Sequence, residues 1–331
     1  MLPSNSVFPK ASNRRYVHLS AFSLPAMRNA FSDEILKIAL EDPRVVVLSG
    51  DIGNRLFDKF KAAMPGRFYN CGIAEANMMS MAAGMASCGL RPVCYTITPF
   101  VTTRCLEQIK LDVCYHRMPV TIVGTGSGIS YASLGSTHHS FEDIAALRVL
   151  PGLNIIAPAD APELRSALRW AFTQDAPTYM RIGKKGEPVV TDPSLPFVEA
   201  KWNRIRDGAQ ATLLSCGTLL PEAIAAADIL EARGISTSVW NCASIKPLDE
   251  SALTSLPPTA VFTLEEHSVL GGFGSAVAEH FSGAGNRRVI RCGIPDEFLH
   301  DCGEQNEARI HCGLDAAGIA AKVASVLAEP R

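Results

Sequence analysis

The sequence predicts an α/β fold built as two open-sheet domains, and three observations carry that reading. Short β-branched runs alternate with helix-period stretches from Pro25 onward. A Gly/Pro-rich break at 183–206 interrupts the rhythm, which then resumes. At 331 residues and 47% hydrophobic, the chain is long and apolar enough for two ordinary cores.

The elements follow in order. Residues 27–39 place Phe31, Ile35 and Ile38 on one helical stripe. Residues 44–48 and 68–71 read as short strands, and 75–87, rich in Met and Ala, as a buried helix. Strands are expected at 92–97, 120–123 and 153–156, with helices at 107–115 and 162–173. Beyond the break, 211–214, 236–240 and 260–264 read as strands. Residues 221–233 form a helix closed by Gly234, and further helices cover 274–281 and 315–327. The alternation predicts parallel sheets covered on both faces. The expected divisions are an arm at 1–22, a first domain at 23–186, a linker at 187–206 and a second domain at 207–331.

Composition narrows the function classes. A net charge of −2 gives no basic surface for nucleic acid or anionic membrane. The ten cysteines form no C-x-x-C pair, so no metal-ligand spacing is present, and they read as small buried hydrophobes of a reducing compartment. The first 20 residues are polar and basic, without the apolar centre of a secretory signal, and no apolar run reaches membrane-spanning length. A cytoplasmic protein is expected.

In open α/β sheets, ligands sit beyond the carboxyl ends of the strands. That rule points to residues 49–55, 71–75, 97–104 and 124–140. Glu75 stands there at the start of an unusually apolar helix, where a carboxylate is costly unless it has a partner. A simple helix-start carboxylate favoured by the helix dipole is the alternative. Gly271-Gly-Phe-Gly274 lacks the Lys-Ser/Thr of a phosphate loop and reads as a tight turn into a helix.

The string Gly72-Ile-Ala-Glu75-Ala-Asn-Met-Met-Ser-Met-Ala-Ala-Gly84 resembles the pyrimidine-binding segment of transketolases and of 1-deoxyxylulose-5-phosphate synthases. Phe100-Val-Thr-Thr-Arg104, Gly135-Ser-Thr-His138-His139, Pro177-x3-Arg181, Lys246-Pro-Leu-Asp249 and Glu265-Glu-His267 resemble further segments in the same order, so the likeness covers about 25–328. The resemblance implies a pyrimidine-binding domain followed by a transketolase C-terminal domain, with thiamine diphosphate as cofactor. Glu75 would pair with N1′ of the aminopyrimidine, so that the 4′-imino group can take the thiazolium C2 proton. Phe100 would stack on the pyrimidine, with Ile97 as a further apolar wall. His138 would face substrate. Arg28, Asp51, Arg55, His139, Leu134 and Arg181 are candidates for substrate contact, with Arg suited to phosphate. Lys184 is a weaker candidate of the same kind. His267 reads as structural or interfacial.

A complete transketolase carries an earlier domain that holds Mg²⁺ and the diphosphate, marked by Gly-Asp-Gly and a later Asn-Asn. This chain has Gly50-Asp51-Ile52 and no Asn pair downstream. The resemblance therefore implies the β chain of a split enzyme, with the metal ligands on a separate α chain in an α₂β₂ assembly. Sugar-phosphate transketolases have an Asp where Leu134 stands, a second His at Gly126 and a Gln at His139. Losing a hydroxyl acceptor at Leu134 predicts a less hydroxylated or modified substrate. A 2-oxo acid decarboxylating E1 β subunit, a deoxyxylulose-phosphate-synthase-like carboligase and a non-catalytic assembly subunit are the other readings.

Overall fold

The computed structural model describes residues 26–329 except 54, 185, 284–286 and 301. The expected arm at 1–22 lies outside the described residues.

The first sheet contains β1 (Val45–Ser49), β2 (Phe68–Asn70), β3 (Arg91–Ile97), β4 (Thr121–Thr125), β5 (Asn154–Ile156) and β6 (Thr178–Ile182). The second contains β7 (Asn203–Arg206), β8 (Ala211–Ser215), β9 (Thr237–Asn241), β11 (Ala260–Ser268) and β12 (Val289–Ile294). Between them in sequence, β10 (Ser244–Lys246) crosses over and joins the first sheet. The strand orders are β10-β5-β6-β4-β3-β1-β2 and β12-β11-β8-β9-β7. Strands β1, β3, β4, β6 and β8 are buried along their whole length, as expected where helices cover both faces.

The expectation of purely parallel sheets needs correction. Strand β10 runs antiparallel to β5, and β7 antiparallel to β9, so each sheet has one reversed edge. Strand β10 also blurs the domain division. Its neighbour Ala243 accepts the Ala157 N–H at 2.8 Å, tying the second half of the chain to the first sheet. The 183–206 break is pinned rather than loose. The Asp160 carboxylate caps the helix Ala161–Ala171 and also accepts from the backbone N–H groups of Val190 and Thr191, at 2.8 and 2.7 Å. Residues 107–115, read as an ordinary helix, contain a π-helical turn over Ile109–Tyr115.

The parallel strands β1, β2, β3, β4 and β6 end along one edge, aligned by registers such as Ser49↔Tyr95, Ile97↔Thr125 and Thr125↔Ile182. Gly313, at φ +65°, and the Asp315 cap split the C-terminal segment into Gln305–His311 and Ala316–Ala328. Each is too short to cross a membrane.

Candidate active site

The cleft is assembled from the carboxyl ends of those parallel strands. After β1 the chain reaches Gly50, whose N–H bonds the Tyr95 carbonyl at 3.1 Å. A Cβ at Gly50 would come within 2.9 Å of Thr96 Oγ1 and 3.6 Å of Glu75 Oε1. The bare glycine thus keeps open a space beside the carboxylate. After β2, Gly72 at φ +67° turns the chain into the helix Glu75–Ser87. Glu75, its first residue, is 4% exposed. Its Oε2 accepts from Arg104 Nη1 at 2.9 Å, the charged partner that its burial requires. The simple helix-start reading of Glu75 therefore does not cover its surroundings.

The segment after β3 supplies Arg104 and Phe100. The Arg104 guanidinium lies over the Phe100 ring, 4.1 Å from its centroid. Phe100 meets the His138 ring edge-on at 5.3 Å, and His138 meets Tyr131 at 5.9 Å. Lys184 Nζ lies 4.3 Å from the Tyr131 centroid. Cation, ring, imidazole, ring and cation thus follow one another along the cleft. Thr137 Oγ1 bonds His138 Nδ1 at 2.9 Å and orients the ring. Burial, with His139 and Arg104 nearby, lowers the His138 pKa below the ordinary 6.5, so the imidazole is neutral at physiological pH.

At the far end, Arg28, Arg55, Ile97, Gly53, Thr125 and Tyr131 line a cavity of about 380 Å³. Asp51 sits on its rim, bonded by Asn70 Nδ2 at 3.0 Å. Leu134 is 52% exposed, on the turn that leads into Thr137-His138.

Two expectations fail. Arg181 is 3% exposed and faces the domain junction. Its Nε bonds Asp143 at 2.8 Å, and its Nη2 donates to the carbonyls of Ser140 and Glu266. Its place near the end of β6, inward-facing, removes it from substrate. His139 is 4% exposed, stacks on Phe141 at 5.1 Å and bonds the Ala132 carbonyl through Nε2 at 3.1 Å. It shapes the loop from inside. Arg104, Tyr131 and Lys184 are the residues that sequence reasoning undervalued. Arg104 stood four residues after Phe100, one helical turn away, which was a usable signal. His267 is fully buried at the junction. Its Nδ1 bonds the Ser268 carbonyl at 2.8 Å, while Nε2 accepts the Ala145 N–H.

Among the described residues no group of three His, Cys, Asp or Glu side chains could hold a metal ion. A buried carboxylate at a strand-to-helix junction, beside a bare glycine and an aromatic ring, defines the pyrimidine end of a thiamine-type site on an open α/β sheet. The comparisons agree. Residues 23–187 match the family model "Transketolase, pyrimidine binding domain", and residues 200–319 match "Transketolase, C-terminal domain". One of the two subunits of the apulose-4-phosphate transketolase of Phocaeicola vulgatus is 35% identical over 90% of this chain and 96% of its own. A 6-deoxy-6-sulfo-D-fructose transketolase subunit of a Clostridium species is 35% identical over 82% of this chain and 85% of its own. A solved split-gene transketolase, described as an inactive β4 tetramer, superposes with a TM-score of 0.85 at 34% identity, covering 92% of this chain and 99% of that one. The chain belongs to the transketolase family, as a β-type subunit of a transferase.

Proposed function

We propose that this chain pairs with a separate α chain, in an α₂β₂ assembly, to transfer a two-carbon ketol unit between carbonyl substrates. The α chain would hold Mg²⁺ and the diphosphate of thiamine diphosphate. This chain would hold the pyrimidine end and most of the substrate cleft. The observation that carries the proposal is Glu75, buried and paired with Arg104 beside the open space at Gly50. When bound, the thiazolium supplies the carbon nucleophile that takes up the ketol unit.

Each residue has a part that its surroundings support. Glu75 Oε1, the oxygen nearer Gly50, holds a proton shared with the aminopyrimidine N1′. Phe100, fixed by Arg104, and Ile97 at the end of β3 offer apolar surfaces to that ring. Neutral His138, steadied by Thr137, hydrogen-bonds the substrate oxygen and moves its proton. Arg28 and Arg55 receive an anionic group at the far end, and Asp51 a hydroxyl near the rim. Leu134 and Gly126 leave two polar positions empty, favouring a less hydroxylated or modified substrate than ordinary pentose phosphates. The two relatives named for apulose 4-phosphate and 6-deoxy-6-sulfofructose support that direction. The β4 tetramer described as inactive supports dependence on the α chain. Cytoplasmic residence is supported by ten cysteines that are all free.

The test is reconstitution. This chain, a matching α chain, thiamine diphosphate and Mg²⁺ are combined with 3-hydroxypyruvate labelled in its two terminal carbons and with a set of aldehyde acceptors. The proposal predicts label in a ketose product, and no product when either chain is omitted. Product formed by this chain alone would refute the division of the site.

A further inference from the structure

We propose that Tyr131 is a specificity-determining residue of this cleft, its phenol hydrogen-bonding a substrate hydroxyl in the position left open by Gly126 and Leu134. The inference rests on the ketol-transfer reading above. Gly126 adopts φ +68°, and a Cβ there would lie 1.9 Å from Tyr131 Cε2 and 2.3 Å from Cδ2. The Tyr131 ring therefore fills the volume that any side chain at 126 would need. The two positions are coupled: the aromatic ring can occupy this place only because residue 126 is glycine.

The ring sits between the reacting and anion-binding ends of the cleft. On one side is His138, 5.9 Å away and edge-on. On the other is Lys184, with Nζ 4.3 Å from the centroid. Tyr131 also lines the 380 Å³ cavity with Arg28 and Arg55. Its ring is thus clamped by contacts on both sides, while its hydroxyl hydrogen-bonds none of the described residues. Burial raises the phenol pKa, against the opposing pull of Arg28, so the hydroxyl keeps its proton at neutral pH and can donate. A rigid donor facing a cleft whose other polar positions are Gly and Leu defines the substrate class: a carbonyl compound with one recognised hydroxyl between its carbonyl and its anionic group.

The reconstituted complex with thiamine diphosphate and Mg²⁺ provides the test, with 3-hydroxypyruvate as donor. Acceptors are glycolaldehyde and glyceraldehyde 3-phosphate, which carry a hydroxyl beside the carbonyl, and propanal, which does not. Tyr131→Phe is expected to lower kcat/KM for the hydroxylated acceptors by about 10- to 100-fold and for propanal by less than about threefold. Gly126→Ala is expected to reproduce the selectivity loss of Tyr131→Ala, and to add little when combined with it. Equal effects of Tyr131→Phe on all acceptors, including no effect, would overturn the proposal. So would independent, additive losses from Gly126→Ala and Tyr131→Ala. A wild-type complex that transfers to none of the acceptors would overturn the ketol-transfer reading itself, and the proposal with it.

Discussion

Two polar regions of this chain look alike in sequence and differ in kind. The domain junction gathers Asp143, Arg181, Glu265, Glu266, His267 and Arg309, all 9% exposed or less. The cleft gathers Glu75, Arg104, His138, Tyr131, Lys184 and Arg28, of which only Glu75 is fully buried. At the junction the charges are spent on each other. Arg181 bonds Asp143 and two carbonyls, Arg309 Nε bonds Glu266 at 2.5 Å, and Glu265 accepts two N–H groups at the start of the helix Phe273–Ser282. In the cleft the same residue types hold rings in place and leave polar atoms facing open space. Partnering, not residue type, separates the group that holds the fold from the group that can meet a ligand.

This contrast breaks if substitutions on the two sides behave alike. Arg181→Met strands Asp143, whose carboxyl is held low by Arg181 and His267 against a burial effect that would raise it. The expected loss is about 3–5 kcal/mol of stability, read as a Tm lowered by roughly 6–20 °C. A pH series tests the junction next. Burial holds His267 down to about 4 from 6.5, despite the Asp143 carboxylate nearby. Between those values the unfolded chain binds a proton that the folded chain refuses. The His267 contribution is therefore complete above pH 6.5 and fades as pH falls toward 4, by at most about 3 kcal/mol. Glu265, raised to about 7 by burial, acts with the opposite sign, its contribution fading as pH rises through 7. His267→Gln should flatten the acid-side slope in chemical denaturation between pH 4 and 6.5; an unchanged slope would place the acid sensitivity elsewhere.

On the cleft side, His138→Ala is expected to cut kcat/KM of the reconstituted complex by about 10- to 100-fold, with Tm shifted by less than about 2 °C. Arg104→Met, which releases Glu75 and the Phe100 ring, has the smallest expected effect, a loss of about 3- to 10-fold in activity at nearly unchanged Tm. A large fall in Tm for Arg104→Met would place that arginine with the junction group.

The same contrast explains what was legible in the sequence. The alternating pattern revealed the α/β class because covered parallel strands read as short apolar runs. The reversed strands β7 and β10 did not show, since strand direction has no signature in residue type and the Lys246-Pro247 context resembles a loop. Strand β6 was hidden by Arg181, a charge in an otherwise apolar run, whose partner Asp143 lies 38 residues away. Glu75, Phe100 and His138 were legible because a local motif carries each. Arg181 and His139 were misread because burial is a tertiary property that local sequence does not encode. Tyr131 was missed because its meaning depends on the glycine five residues earlier, and only the packed ring shows the coupling.

The central claim is that Glu75 activates the aminopyrimidine while the partner chain anchors the diphosphate. The most direct measurement is hydrogen–deuterium exchange at the thiazolium C2 of cofactor bound to the reconstituted complex, followed by NMR after acid quench. Glu75→Gln is expected to slow that exchange by about 100- to 1000-fold with cofactor still bound. Exchange as fast as in the unaltered complex would contradict the claim.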